Sequence, residues 1–231
     1  MISIIIPTFN EADQIITTIG NLNRISAGQN FDVIISDGCS TDNTIELAKQ
    51  AGVIVVSSPR KGRAAQMNAG AALAKGEVLY FLHADTIPPE GYLVDIVHAM
   101  AKGYPAGCFM LSFDHPHWFL KANCWFTRFD VDAIRFGDQS LFVTKAAFEQ
   151  VGGFCERHVV LEDQELIKRL RKNVRFKVIK KPVVTSARKY LENGVYKTQG
   201  IFFIIYFLYM IGFSQDRLVR TYKKLITQNK L

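Results

Sequence analysis

Cysteine is scarce in this 231-residue chain, and its four copies, Cys39, Cys108, Cys124 and Cys155, stand far apart with no Cys-x-x-Cys pair. That spacing excludes a zinc knuckle or a small disulfide scaffold and leads us to expect free thiols in a reducing, cytoplasmic setting. With 7 Pro and 16 Gly, the chain is too poor in both to be fibrous or of low complexity. No Gly-x-x-x-x-Gly-Lys-Ser/Thr sequence occurs, and no Gly-x-Gly-x-x-Gly follows the first apolar run. P-loop ATPases and dinucleotide oxidoreductases lose support accordingly. Residues 1–7 are apolar but lack a basic leader and break at Pro7, so no export signal is expected. The longest apolar run, 201–213, would form a helix of roughly 20 Å, short of the roughly 30 Å hydrocarbon core of a bilayer.

What is present fits one folded domain with a continuous core: 48% apolar and 21% charged residues. The net charge of +7 conceals a marked asymmetry. Residues 1–167 hold 12 Lys and Arg against 19 Asp and Glu, a balance of −7, whereas residues 168–231 hold 16 against 2, a balance of +14. A basic block of this kind suits nucleic acid, an anionic membrane surface or a phosphate-bearing substrate. Its aromatic residues fall in a nearly uncharged run instead of alternating with Lys and Arg, which fits base stacking poorly, so no nucleic acid partner is expected.

The first hundred residues alternate short β-branched runs with helical spacings, the pattern of βαβ units on a mostly parallel, Rossmann-like twisted sheet flanked by helices. Strands are expected at 3–6, 31–36, 53–57 and 77–82, with helices at 11–22, 45–50 and 61–74. Beyond Pro88-Pro89 the pattern loosens into a helix at 91–101, a strand at 106–113, an aromatic stretch at 118–129, an amphipathic helix at 161–172 and a strand at 174–179. The run 201–213 allows three readings: a buried core helix, an oligomer interface, or a helix lying in a membrane interface with Arg217, Arg220, Lys223 and Lys224 behind it.

In open α/β sheets ligands bind beyond the carboxyl ends of the strands. Asp37 follows the second expected strand and Asp85 the fourth, with Asn10 and Glu11 after the first. Each could be an ordinary turn residue; together at one sheet edge they point to a ligand pocket. Between them, Arg60, Lys61 and Arg63 lead into a helix start, where backbone N–H groups and cationic side chains attract a diphosphate. A carboxylate facing a diphosphate suits a divalent cation, Mn²⁺ or Mg²⁺, with Asp85 as its ligand. His83 is either a further ligand or a packed residue. Glu162-Asp163 opens the helix at 161–172, as dipole partners or as the base that group transfer to a hydroxyl requires.

Taken in order, Ser3 to Glu11, Ser36-Asp37-Gly38-Cys39-Ser40-Thr41-Asp42, Arg60 to Gly70, His83-Ala84-Asp85, Gly137-Asp138-Gln139, Gly152-Gly153-Phe154 and Glu162-Asp163 resemble family-2 glycosyltransferases of the GT-A fold. The resemblance covers about residues 1–190. It implies a GT-A domain over 1–190, with a nucleotide-binding half (1–100) and an acceptor half (101–190); the remaining 191–231 reads from its apolar run and basic residues as a helical extension that meets a membrane surface or a second subunit. It further implies an inverting transfer from a nucleotide sugar, a UDP-sugar being the expected donor, to an unidentified acceptor hydroxyl. By that likeness Pro7, Asn10, Glu11 and Asp37 line the nucleoside pocket, Arg60 and Arg63 lie near the donor, Asp85 binds the metal and Asp163 is the base. Arg188 is assigned to the diphosphate, and Asp138 and Gln139, with Trp118 and Trp125, to the acceptor side. The departure is His83, where many relatives carry the first Asp of an Asp-x-Asp motif. His83-Ala84-Asp85-Thr86 and Thr185 to Lys189 are similar to a bacterial subgroup associated with arsenosugar synthesis. The expected location is the cytoplasm, at the inner face of the membrane if the extension binds lipid. The competing function is a non-catalytic nucleotide-sugar-binding or scaffold protein of the same fold.

Overall fold

The computed structural model describes residues 1–131 and 137–226. The stretch 132–136, inside the expected acceptor half, and 227–231, at the end of the expected extension, lie outside the described residues. The first half runs β1 (Ile2–Thr8), α1 (Ala12–Ile25), β2 (Phe31–Asp37), α2 (Thr44–Gln50), β3 (Ile54–Ser57), α3 (Arg63–Leu73) and β4 (Val78–Phe81). The second runs β5 (Thr86–Ile87), α4 (Tyr92–Ala101), β6 (Ala106–Phe113), α5 (Trp118–Phe126), a 3₁₀ turn (Gly137–Gln139), β7 (Leu141–Thr144), α6 (Lys145–Gln150), α7 (Glu162–Asn173), β8 (Phe176–Thr185), α8 (Arg188–Asn193), α9 (Val195–Met210) and α10 (Gln215–Leu225).

These strands form one sheet in the order β3-β2-β1-β4-β7-β6-β8-β5. The β3-β2-β1-β4 half is wholly parallel, as the βαβ spacing predicts. The other half is mixed, because β7 runs antiparallel to both β4 and β6, and β5 antiparallel to β8. Alternation along β1 divides the core between the two faces of the sheet. Ile4 and Ile6 pack with Ile15, Ile19, Tyr80 and Tyr92 beneath α1 and α4. Ile5 packs on the opposite side with Met67, Phe81, Phe148 and Leu166 beneath α3, α6 and α7. With both faces covered, the central strands tolerate unbroken apolar runs such as residues 4–6.

The strand expected at 174–179 continues to Thr185. Its ladder with β6 steps from Phe109 opposite Ile179 to Met110 opposite Pro182, so Lys180 and Lys181 are extruded as a bulge. A bulge is one of the few places in a sheet that accepts a proline, which is why Lys180-Lys181-Pro182 reads as a break in the sequence and not in the fold. The apolar run at 201–213 falls mostly within α9, with Ile211 to Phe213 beyond its end. It is not buried all round. Ile201 and Ile205 pack against Leu218 and Tyr222 of α10, while Phe203 and Phe207 are exposed. Among the described residues no helix is long and apolar enough to cross a membrane.

Gly107, in β6, sits where a Cβ would come within 2.3 Å of both the Lys177 carbonyl oxygen and the Phe142 ring. Overpacking against backbone cannot be relieved by a rotamer change, so Gly107→Ala should cost about 2–3 kcal/mol of unfolding free energy. Urea titration of the two proteins measures this, and an unchanged midpoint would show that the sheet yields there.

Candidate functional site

The loops after β1 and β2 are laced together by side chains, which explains their polar sequence. Asn10 adopts a left-handed conformation (φ 54°), its N–H donating to Ser40 Oγ at 2.8 Å while its Oδ1 accepts from Thr41 N at 2.8 Å. Asp37 is fully buried and accepts from Thr8 Oγ1 at 3.2 Å and Ser40 N at 2.8 Å. The Gln66 amide, on the inward face of α3, donates to the carbonyls of Thr8 (2.6 Å) and Ser36 (3.1 Å), tying the ends of β1 and β2 together. Sequence reasoning alone misses Gln66. Its only signal there is one polar residue on the inner face of an Ala-rich helix.

Beside these loops lies a cavity of about 470 Å³. Pro7 and Glu11 contribute from the end of β1, Arg63 from the start of α3, and His83 and Asp85 from the segment after β4. The position is that of a topological switch point, where β1 has its chain neighbours on opposite sides and a crevice opens past the carboxyl ends. The far wall comes from the second half: Asp138, then Glu162, Asp163 and Gln164 at the start of α7, then Arg188 and Lys189 at the start of α8. Gln199, Phe202 and Phe203 of α9 and Tyr222 of α10 complete it, so the C-terminal helices form part of the site.

Seven of the expected site residues thus share one cavity: Pro7, Glu11, Arg63, Asp85, Asp138, Asp163 and Arg188. Six others lie off its wall, among them Trp118 and Trp125, which are exposed on α5. Asn10 and Asp37 are held in the loop lattice just described. Arg60 is exposed and pairs with Glu156 at 2.9 Å. Gln139 is buried behind Asp138, its Oε1 accepting from Cys108 Sγ at 3.6 Å.

Arg63 dominates the electrostatics. Its Nη1 lies 3.4 Å from Glu162 Oε1. Burial would lower its pKa, but Glu162, Asp163 and Asp138 together outweigh that and hold it above its ordinary value. Asp163 shows the opposite balance: burial and the adjacent Glu162 carboxylate raise its pKa well above the usual range, and Arg63 recovers only part of the shift. His83 is pushed down to about 3 by burial and by Arg63, so it is a neutral imidazole, with Nδ1 3.5 Å from Asp138 Oδ1. Asp85 stands next to it, loosely bonded by Thr185 Oγ1 at 3.5 Å.

The turn into α7 is strained. Leu161, immediately before Glu162-Asp163, has φ 60°, a region unfavourable to a side chain with a Cβ and one that persists only where packing over-determines it. Val160 and Leu161 pack with Ile201, Ile205 and Leu218, and Gln215 Oε1 accepts from Val159 N (3.2 Å) and Val160 N (3.3 Å). The α9–α10 pair therefore supports the segment that carries Asp163.

A curled α/β sheet with an acidic and cationic cavity at its switch point is the architecture of GT-A glycosyltransferases. The chain belongs to glycosyl transferase family 2, whose model matches residues 3–148. It is 29% identical over 133 residues to an undecaprenyl-phosphate 4-deoxy-4-formamido-L-arabinose transferase of Aeromonas hydrophila, covering 52% of this chain and 40% of that one. In fold it is similar to Staphylococcus aureus TarS 1–349 in complex with UDP (TM-score 0.68, 17% identity, 80% of this chain and 60% of that one). It is likewise similar to the mannosyltransferase PcManGT of Pyrobaculum calidifontis in complex with GDP-Man and Mn²⁺ (TM-score 0.72, 17% identity, 92% of this chain and 65% of that one). The chain thus spans 40 to 65% of the length of these relatives. The family match ends before Glu162, so it does not reach the α7 wall of the cavity. None of the three relatives bears on the arsenosugar subgroup.

Arg63→Met should leave Glu162 and Asp163 without their counter-charge. Breaking a fully buried pair costs about 3–5 kcal/mol, but 36% of the Arg63 side chain remains accessible, so a loss of about 2 kcal/mol is expected. Without Arg63, the Asp163 carboxyl would titrate still further above its unfolded value of about 4. The folded state then keeps protons that the unfolded chain releases, and stability falls as pH rises through that window. Thermal denaturation should show a larger deficit at pH 7 than at pH 5. A deficit independent of pH would contradict the assigned pairing.

Proposed function

We propose that this chain transfers a glycosyl unit from a nucleoside-diphosphate sugar to an acceptor hydroxyl with inversion at the anomeric carbon, Asp163 acting as general base. The carrying observation is that Asp163, buried and with raised proton affinity, shares one cavity with Arg63, Asp85 and Arg188. Family membership supports glycosyl transfer, and the UDP and GDP-Man complexes of the fold neighbours support a nucleotide-sugar donor, which we take to be a UDP-sugar.

Asp163 takes the proton from the attacking hydroxyl as its oxygen bonds to the anomeric carbon. The bond from that carbon to the diphosphate breaks on the opposite face, and the nucleoside diphosphate leaves. A carboxylate of raised pKa is a better base than an ordinary one, provided the pH keeps it ionised. Arg63 and Arg188 lie where cationic donors can hold a diphosphate. Pro7 and Glu11 border the nucleoside end, with Asn10 and Asp37 fixing the loops behind them and Arg60 at its outer edge. Asp138 faces the acceptor side, with Gln139 behind it.

The donor set also fits a divalent cation. Among the described residues the Asp85 carboxylate accepts one loose hydrogen bond, and Mg²⁺ or Mn²⁺ is commonly held by one or two carboxylates with phosphate oxygens and water completing the shell. No group of three or more His, Cys, Asp or Glu side chains poised for a metal occurs among the described residues, so substrate oxygens would supply the balance. When bound, the ion would neutralise charge on the departing diphosphate. We further take 1–190 as the transferase domain and 191–231 as an extension that makes peripheral membrane contact or a homodimer contact, the protein acting in the cytoplasm at the inner membrane face.

Asp163→Asn should reduce turnover by about 10³-fold while leaving nucleotide affinity within a few-fold, because a base acts in the transition state. The acid limb of kcat/KM for the unaltered enzyme should lie above the ordinary carboxylate range, with activity rising as pH climbs and Asp163 loses its proton. A screen of nucleotide sugars by thermal shift identifies the donor. Turnover by Asp163→Asn equal to that of the parent would remove Asp163 as base.

A further inference from the structure

The exposed apolar residues of α9 are not scattered. Phe203, Phe207 and Met210 of α9, with Ile211 just past its end, recur at helical spacing on one face, with exposures of 61, 62, 54 and 55%. The opposite face carries Ile201 and Ile205 and is packed. Helix α5 continues the patch. It adjoins α9 through Asn123 Nδ2, which donates to Gln199 Oε1 at 3.1 Å, and through Phe119 against Tyr196 (5.0 Å between centroids). Trp118, Trp125 and Phe126 there are 66, 46 and 50% exposed. An apolar surface of this extent is unusual on a soluble monomer and marks a contact site.

The charges beside the patch are mainly cationic: Lys121, Arg128, Lys197, Arg217 and Arg220 against Asp130, Glu192 and Asp216 at its margins. Residues 118–129 and 193–215 contain Lys121, Arg128 and Lys197 and no Asp or Glu. Arg128 lies 4.6 Å over the Trp125 ring and Arg217 5.4 Å over Phe213, so cations stand directly against exposed aromatics. A two-fold contact between copies through this patch would bring mainly like charges together, since cations outnumber the carboxylates there and Asp130 is already paired with Arg171. An anionic lipid surface accommodates both components, the rings at headgroup depth and the cations among phosphates.

We infer that the joined faces of α5 and α9 form a docking surface for an anionic membrane, with the cavity opening onto that membrane. Phe126 and Phe203 belong to the patch and also line the cavity. An acceptor with a hydroxyl or phosphate head on a hydrocarbon chain could then reach Asp163 without leaving the lipid. This last role rests on the glycosyl-transfer reading; the docking surface does not.

The test is co-sedimentation of the full chain with phosphatidylcholine vesicles, with or without phosphatidylglycerol, at low and high salt. The protein should partition onto the phosphatidylglycerol vesicles and be partly released by salt. Phe207→Asp combined with Ile211→Asp, both outside the cavity wall, should lower that partition at least about tenfold. Trp118→Ser, on the other helix, should lower it less. Thermal shift by nucleotide checks folding of each variant separately, so loss of donor binding and loss of docking are told apart. An unaltered protein that stays in the supernatant with both vesicle types would overturn the inference. So would variants that bind as well as the parent, or a dimer in light scattering that the double substitution dissociates while vesicle binding is absent throughout.

Discussion

One guanidinium organises the site. Arg63 enters the cavity from the start of α3 and meets Glu162 and Asp163 from α7, two elements nearly a hundred residues apart in sequence. Without it, adjacent buried carboxylates would repel each other and draw protons or water; with it, the cavity keeps ionised groups of both signs in a confined space. Burial, with the same charge beside it, keeps His83 neutral, so the imidazole beside Asp85 adds no competing cation. The balance is incomplete: burial and Glu162 leave Asp163 holding its proton more tightly than an ordinary aspartate. That residual shift is what makes Asp163 a credible base in the proposed reaction.

Everything that positions this pair is packing and loop geometry. The parallel half of the sheet brings the ends of β1, β2 and β4 to one edge, and Gln66 and Ser40 fix the loops there. The other half supplies the opposite wall through a mixed ladder, a bulge in β8 and the left-handed Leu161. The α9–α10 pair packs behind that turn and contributes Gln199, Phe202, Phe203 and Tyr222 to the cavity wall. Its outward face remains apolar, and its charges are placed among aromatic rings.

Much of this was legible in the sequence. The four parallel strands and their helices follow directly from apolar periodicity, and Asp85, Arg63 and Asp163 were picked out from strand ends and a helix start that the fold gathers into one cavity. Other features were not legible because they depend on distant partners. β7 is four residues with no alternation, defined only by pairing with β4 and β6; β5 is two residues long and exists because β8 passes beside it. Asp37 resembles a pocket residue, yet its carboxylate is used up by Thr8 and Ser40, a competition invisible without coordinates. Gln139, assigned from the sequence to the acceptor side, is instead buried and bonded to Cys108. The contribution of Gln199 and Tyr222 to the cavity had no local signal at all, since it depends on α9 and α10 folding back over α7.

The central claim is that Asp85 and the cationic wall opposite it receive a nucleoside diphosphate together with a divalent ion. Calorimetric titration of UDP and GDP into the parent and Asp85→Ala, each with and without Mn²⁺, tests this most directly. The account predicts that Mn²⁺ tightens nucleotide binding to the parent about tenfold or more and leaves Asp85→Ala unchanged. Equal nucleotide affinity with and without the ion in the parent protein would contradict it.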